Sequence, residues 1–488
     1  MIRGKFTSLF VLLLIYLSSA SAQNETDVVR YFSATPIGTA RMSSMAGSFG
    51  ALGGDLSTAL INPAGTGIYR KNEIGLTPGF SFNTVKSDAE GVNTDNGSNK
   101  LIFSNFGFAS SSMSDDNKDL YFNYSMGYSK SMDINRLSEI GFFNEHSSML
   151  FSFTDQADGI LVNNLANDVP FTSHLAYENY LIDENPDEQA TYTTQPLYET
   201  SFNGVYQMNK IDEKGSMGDL FVNLSAAVME KVYIGATMSF INGSYEQNTT
   251  LTEVTTVDTL LLDEFTFRYT QNTDMSGLSF KLGLIIKPEK WLRVGLAWHL
   301  PYKLNLKDSY STRLSSNWKD GDYINIESPE GYIEYSIKNP GKLIFSAAFI
   351  TGFKGLINMD VEWMNYGASE IVSSQFDFSQ ENAVIAETLR NTLTIRFGGE
   401  IWFGRFNFRA GYAYRQNPYV ESGLKGKDFY NTYSAGAGLL TNKNLFIHLS
   451  FNYKEDGNNY YPYASSISPL VYDKYNSSSL LLSVGKRF

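Results

Sequence analysis

A chain of 488 residues could hold several soluble domains, yet 31 Tyr, 34 Phe and 40 Gly beside 13 Pro fit neither a disordered chain nor a helical membrane protein. The formal charge of −13 argues against nucleic acid as a partner, because phosphate binding needs a basic surface. With no Cys there are no disulfides, thiol nucleophiles, thiolate metal sites or lipid-modified cysteines.

The chain opens with Arg3 and Lys5, an apolar run from Phe6 to Leu17, and the small-residue stretch Ala20-Ser21-Ala22. This is the pattern of a secretory signal covering residues 1–22, with Gln23 as the first mature residue. The run is shorter than the about 20 residues a membrane helix needs, and no later apolar run approaches that length. An exported chain of this kind that enters a membrane must do so as a barrel. Residues 23–71 read as a compact plug. Five glycines (Gly47, Gly50, Gly53, Gly54, Gly65) allow tight turns, Asp55 is placed to cap a short helix from Leu56 to Ile61, and Asn62-Pro63 forces a turn.

Residues 72–488 carry recurrent period-2 alternation. In one segment Phe122, Tyr124, Met126 and Tyr128 alternate with Asn123, Ser125, Gly127 and Ser129; in another Ile447, Leu449 and Phe451 alternate with His448, Ser450 and Asn452. Lipid-facing residues alternating with lumen-facing ones produce this pattern. Fourteen strands are expected near 72–85, 100–110, 119–132, 217–228, 231–247, 266–287, 291–308, 332–350, 355–366, 390–402, 405–416, 430–441, 444–454 and 478–488. Their links alternate short (Met229-Glu230, Lys287–Glu289, Gly352–Lys354, Gly404, Asn442-Lys443) and long (133–216, 248–265, 309–331, 367–389, 417–429, 455–477). A soluble sandwich has no reason to sort its loops this way. An outer-membrane barrel does, with the short turns periplasmic. The expected fold is therefore an all-β membrane protein: a 14-stranded antiparallel transmembrane β-barrel with an N-terminal hatch and long extracellular loops.

The last strand ends on Phe488, which resembles the recognition signal read by the barrel-assembly machinery. The 133–216 link is long enough to hold helices, one of them over Ser173–Ile182. Its apolar residues, Leu150, Phe151, Phe153, Leu175, Tyr180 and Leu181, either pack the loop or form an extracellular landing site for an apolar ligand. Strand parity points Asp360, Glu362, Arg396, Glu400, Arg409, Arg415 and His448 into the lumen, and pairing Phe403 with Phe406 sets Glu400 opposite Arg409. These charges read as a network holding wall and plug, or as a site for a ligand carboxylate with Arg396 or Arg409 as its cation. His146, His174, His299 and His448 lack metal-ligand spacing, and no G-x-S-x-G, Walker or G-x-G-x-x-G motif occurs. Neither catalysis nor a bound cofactor is expected.

The stretch Gly53-Gly54-Asp55-Leu56-Ser57-Thr58-Ala59-Leu60-Ile61-Asn62-Pro63-Ala64-Gly65 resembles the hatch signature of the FadL/TodX family of outer-membrane transporters. In that family a D-x-S-x-x-x-x-N-P-A-G segment ends the hatch and leads into the first strand, here over Ile68–Glu73. The resemblance implies inward passage of long-chain fatty acids or other apolar molecules through a monomer in outer-membrane lipid. It also implies release through a wall opening made by a kinked strand; Pro78-Gly79 and Gly398-Gly399 are the pairs able to disturb a ladder. Alternatives of other classes are a barrel acting as an interaction subunit of a secretion or assembly system, and a haem receptor using His146 and His174. A general porin is disfavoured because a plug blocks free diffusion.

Overall fold

The structure, a computed structural model, describes residues 25–33, 36–116, 118–194, 202, 204–256, 261–352, 354–420 and 427–488; the expected signal peptide lies outside them. Three short helices, α1 (Glu25–Phe32), α2 (Ala40–Ser43) and α3 (Thr58–Ile61), and a 3-10 segment Pro63–Ile68 precede the first strand. The strands are β1 (Glu73–Ala89), β2 (Val92–Met113), β3 (Leu120–Asn144), β4 (Val205–Val228), β5 (Val232–Thr255) and β6 (Leu262–Glu289). They continue as β7 (Leu292–His299, resuming at Tyr302–Trp318), β8 (Gly331–Asn339, resuming at Lys342–Ile350), β9 (Gly355–Asn365) and β10 (Asn391–Phe403). The series ends with β11 (Phe406–Gln416), β12 (Phe429–Leu440), β13 (Leu445–Tyr460) and β14 (Val471–Arg487).

Each strand pairs antiparallel with the next, and β14 pairs back onto β1, closing a 14-stranded barrel. The interruptions of β7 and β8 face one another, and each holds a proline, Pro301 or Pro340, that has no N–H to give to the ladder. Outward side chains such as Phe80, Phe82, Leu220, Leu224, Phe280, Leu282, Phe345, Leu480 and Leu482 are exposed, as a lipid-facing band requires. No helix among the described residues is long and apolar enough to cross a membrane.

The expected 133–216 link is corrected to 145–204, because β3 continues to Asn144 and β4 starts at Val205. Strands β3 to β6 are thus far longer than the 9–11 residues a tilted strand needs to cross a bilayer. On the long-loop rim, α4 (Met149–Ala157), α5 (Val162–Asp168) and α6 (Ser173–Glu178) form a cap, the last shorter than the expected Ser173–Ile182. A later link adds α7 (Ser379–Thr388). The buried Glu253 carboxylate of β5 ties the cap to the wall by accepting Met149 N (2.7 Å), the Ser148 hydroxyl and Gln207 Nε2 (2.7 Å).

Candidate functional site

The plug is braced from within by the residues of its own motif. The Asp55 carboxylate accepts Thr39 Oγ1 (2.8 and 2.9 Å) and Ser57 N (2.9 Å), and Ser57 Oγ accepts Thr39 N (2.7 Å). Asp55 therefore ties two stretches of plug together, and the expected helix from Leu56 shortens to Thr58–Ile61. Asn62 Nδ2 donates to Gly50 O (2.7 Å) and to Leu284 O of β6 (3.2 Å), while its Oδ1 accepts Ala64 N (3.2 Å). Gly53 and Gly65 lie back to back, with Gly54 N donating to Gly65 O at 3.0 Å; a Cβ on Gly53 would overlap that carbonyl. Pro63 starts the 3-10 segment, where its missing N–H costs nothing, and Ala64 is fully buried.

The wall grips this plug along β9 to β11. Asp360 accepts Phe49 N (2.8 Å) and Gly50 N (3.0 Å). Glu400 takes Arg41 of α2 (3.2 Å) and Arg409 (3.2 Å), and Trp402 Nε1 donates to it (2.7 Å). Arg396 donates through both terminal nitrogens to Glu362 (3.1 Å), which Lys342 also reaches at 3.2 Å. The ladder pairs Phe403 with Phe406 and Glu400 with Arg409, as the parity argument predicts. Arg396, Arg409 and Arg415 (with Asp456 at 2.9 Å) are thus all paired with wall carboxylates, and Arg396 and Arg415 also line a lumen cavity.

Sequence reasoning missed a second set of contacts. Asn223 of β4 donates to Pro63 O (3.2 Å), and Thr237 of β5 donates to Ala59 O (2.6 Å). Inward-facing glycines of the wall lie directly under the plug: a Cβ on Gly235 would overlap Pro63, on Gly283 Asn62, on Gly295 Gly50 and on Gly411 Met45. Glycine recurring at inward parity on β5, β6, β7 and β11 is the signal that marks this floor.

The cap residues have diverse settings. Leu150, Phe153, Leu175 and Leu181 are buried in an apolar core shared with Leu251, Phe265 and Leu314 of the wall. Phe151 is half-buried against Phe202, and Tyr180, at φ 57°, is exposed. His146 is exposed and His174 half-buried. His299 and His448 are buried in the lumen, His299 Nε2 lying 2.9 Å from Ile61 O.

The wall is irregular at one level across three neighbouring strands. The β1–β2 register slips at Thr77/Pro78, leaving Ser104 without an opposite residue, and the β3–β4 register slips around Ser131. Above this level β2 and β3 share no ladder; their pairing runs only from Asn105/Ser129 to Met113/Tyr121. Side chains bridge the seam instead: Thr94 and Asn96 donate to Glu139 O (2.6 and 3.0 Å), Ser98 donates to Asn135 O (2.7 Å), and the hydroxyls of Ser87 on β1 and Ser138 on β3 meet at 2.9 Å. The plug inserts at the fork itself. Ile37 N donates to Lys130 O (2.9 Å), Ser104 Oγ to Gly38 O (2.5 Å), and Ala40 N to Ser483 Oγ (2.8 Å). Gly38 has φ +66° there, a conformation that strains other residues. By contrast, Gly398-Gly399 sits in unbroken ladder.

Above the plug, α1 divides the lumen. Its Val28, Tyr31 and Phe32 pack into apolar wall that includes Met217, Ile241, Leu304 and Met364. On its other side lies a cavity of about 350 Å³ with a mixed lining, charged at Arg136, Arg415 and Asp456 and apolar at Val29, Met42 and Met132, that reaches Ile37, Ile102 and Ser131 at the fork.

Residues 189–464 match the family described as outer membrane protein transport protein (OMPP1/FadL/TodX). Among solved structures, a FadL homologue from Pseudomonas aeruginosa is similar at 13% identity and TM-score 0.54, over 93% of this chain and 98% of that one. The toluene transporter TodX of Pseudomonas putida is similar at 12% identity and TM-score 0.51, over 92% and 97%. Comparison with curated proteins gives no match.

Proposed function

The chain belongs to the outer membrane protein transport family OMPP1/FadL/TodX, and from that premise we propose that it admits long-chain fatty acids or similar apolar molecules through the fork of β1–β3. In this reading residues 1–22 are removed on export, Phe488 guides insertion, and a monomer in outer-membrane lipid works with residues 23–71 as its movable plug. Tyr180 and Phe151 meet the ligand first, carried on the buried Leu150, Phe153, Leu175 and Leu181. Arg415 receives a carboxylate where one is present. The name of TodX, a toluene transporter, supports an apolar cargo.

One observation carries the reading: the wall loses its ladder at the level where the plug's Ile37–Gly38 is hydrogen-bonded into it. An apolar molecule gains about 25 cal/mol per Å² by staying out of water, so a sideways exit into lipid is easier than descent through a polar plug. Release needs only a few neutral hydrogen bonds to break, each a net of about 0.5–1.5 kcal/mol. The test uses the absence of native cysteine. Ser98→Cys and Asn135→Cys, joined by a reducible thiol cross-linker, should stop labelled-oleate uptake by cells, and reduction should restore it. Uptake undiminished with the seam locked would refute lateral passage.

A further inference from the structure

The cavity beside α1 has apolar walls at Val29, Ile37, Met42, Ile102 and Met132 and charged ones at Arg136, Arg415 and Lys454, so a wholly apolar molecule fits only part of it. Burying apolar surface against its charged walls would strip water from ions without replacing the lost hydrogen bonds. Its charge arrangement follows a single rule: each carboxylate that lines it lies within 4.0 Å of two cations. Asp456 has Arg415 (2.9 Å) and Lys454 (3.2 Å), and Glu213 has Arg136 (3.9 Å) and Arg30 (4.0 Å). Asp133 has Lys130 (2.8 Å) and Lys100 (3.5 Å), and Glu455 has Lys427 (3.7 Å) and Lys474 (4.0 Å). Arg30 also serves Asp27, which removes one unit of the excess. In a chain of net charge −13, the cavity lining carries five cations, Arg30, Arg136, Arg396, Arg415 and Lys454, beside the four carboxylates.

Two of the guanidiniums lie over rings, Arg136 at 4.2 Å from the Tyr475 centroid and Arg415 at 5.3 Å from that of Tyr430. A guanidinium drawn to a ring face keeps N–H groups for an oxyanion. The cavity ends at the fork, where Ile37 and Ile102 line it, and the next outward side chains are the exposed Leu101 and Phe103. A chamber with charged and apolar walls that ends at the unladdered seam fits a molecule with a charged end and a greasy end.

We propose that this cavity is a headgroup site for a phosphate-bearing, single-chain amphiphile, the phosphate set between Arg136 and Arg415 and the tail leaving through the fork; the path of the tail rests on the lateral-exit reading above. The test measures binding to the purified full-length barrel with hexadecyl phosphate, hexadecanol and inorganic phosphate as probes. Hexadecyl phosphate should bind at least tenfold tighter than hexadecanol. Arg136→Gln with Arg415→Gln should erase that preference, Arg136→Lys with Arg415→Lys should restore part of it, and Lys210→Gln on the outer wall should leave it intact. Competition by inorganic phosphate alone, at equal strength in wild type and with the seam cross-linked, would support the anion site with a free anion as its occupant. Equal binding of hexadecyl phosphate and hexadecanol, unchanged in the double Gln variant while it keeps its barrel circular dichroism, would overturn the proposal. Oleate uptake that still responds to the seam cross-link would meanwhile leave the lateral route standing.

Discussion

The β9–β11 sector of the wall and the β1–β3 sector touch the same plug in opposite ways. Along β9 to β11 the ladders run without a slip, and the plug is held there by ionised groups, Asp360 on Phe49 and Gly50 and Glu400 on Arg41. Along β1 to β3 each strand is irregular at the same height, and the plug is held by single neutral hydrogen bonds at Ile37 and Gly38. Charge-assisted bonds are roughly twice as strong as neutral ones. A plug fastened this way pivots on the first sector and lets go at the second.

The largest expected effect comes from breaking the strong side. Asp360→Ala leaves two buried plug N–H groups without their acceptor and should loosen the plug by about 3–5 kcal/mol. Current through planar bilayers should rise; if the barrel stays as tight as wild type, the pivot is elsewhere. A smaller effect is expected on the weak side. Replacing Thr94, Asn96 and Ser98 together by Ala removes three bridging bonds and should destabilise the seam by about 1–3 kcal/mol. Hydrogen exchange over residues 92–100 should accelerate while that over β10 and β11 does not.

A third effect is a pH dependence of α1, the helix that joins the two sectors above the plug. Burial pushes the Asp27 carboxyl up to about 7 against the opposing pull of Arg30; Asp308 and Glu25 add to the rise, and the Tyr335 hydroxyl lowers it. The folded pKa lies above the unfolded one, so the docked helix holds the extra proton. Docking is strongest below about pH 4 and weakens as pH rises to about 7, by at most about 1.4 kcal/mol per unit. A spin label at Val29→Cys should therefore be more mobile at pH 8 than at pH 5, and Asp27→Asn should flatten the difference. Equal mobility at both values in the parent would exclude this linkage.

The barrel was legible because two physical regularities act on every strand. Lipid on one face and lumen on the other impose period-2 alternation, and turns and loops separate onto opposite rims. The strand ends were not legible for the same reason. Above the bilayer the outward residues of β4 are Lys210, Asp212 and Lys214 rather than Leu220 and Leu224, so the alternation fades although the ladder continues. Parity placed Asp360, Glu400 and Arg409 in the lumen, but could not tell a charge spent on the plug from one facing open space. Arg136 and Lys454 were passed over because they lie in those faded upper stretches. Of the two residue pairs able to disturb a strand, Pro78-Gly79 marks the irregular level and Gly398-Gly399 does not, since Gly398 and Gly411 are kept small by Met45 of the plug. That packing partner is distant in sequence.

The glycine floor at Gly235, Gly283, Gly295 and Gly411 bears on how the plug can travel. A wall without side chains offers no knobs for the plug to climb over, so sliding along it meets little steric barrier. Over this floor position is kept by hydrogen bonds, and water can stand in for each of them as it breaks. Such a surface works as a bearing: sliding over it depends on how readily water reaches Asn62, Asn223 and Thr237, and a single methyl group added at Gly283 would lift Asn62 off its seat.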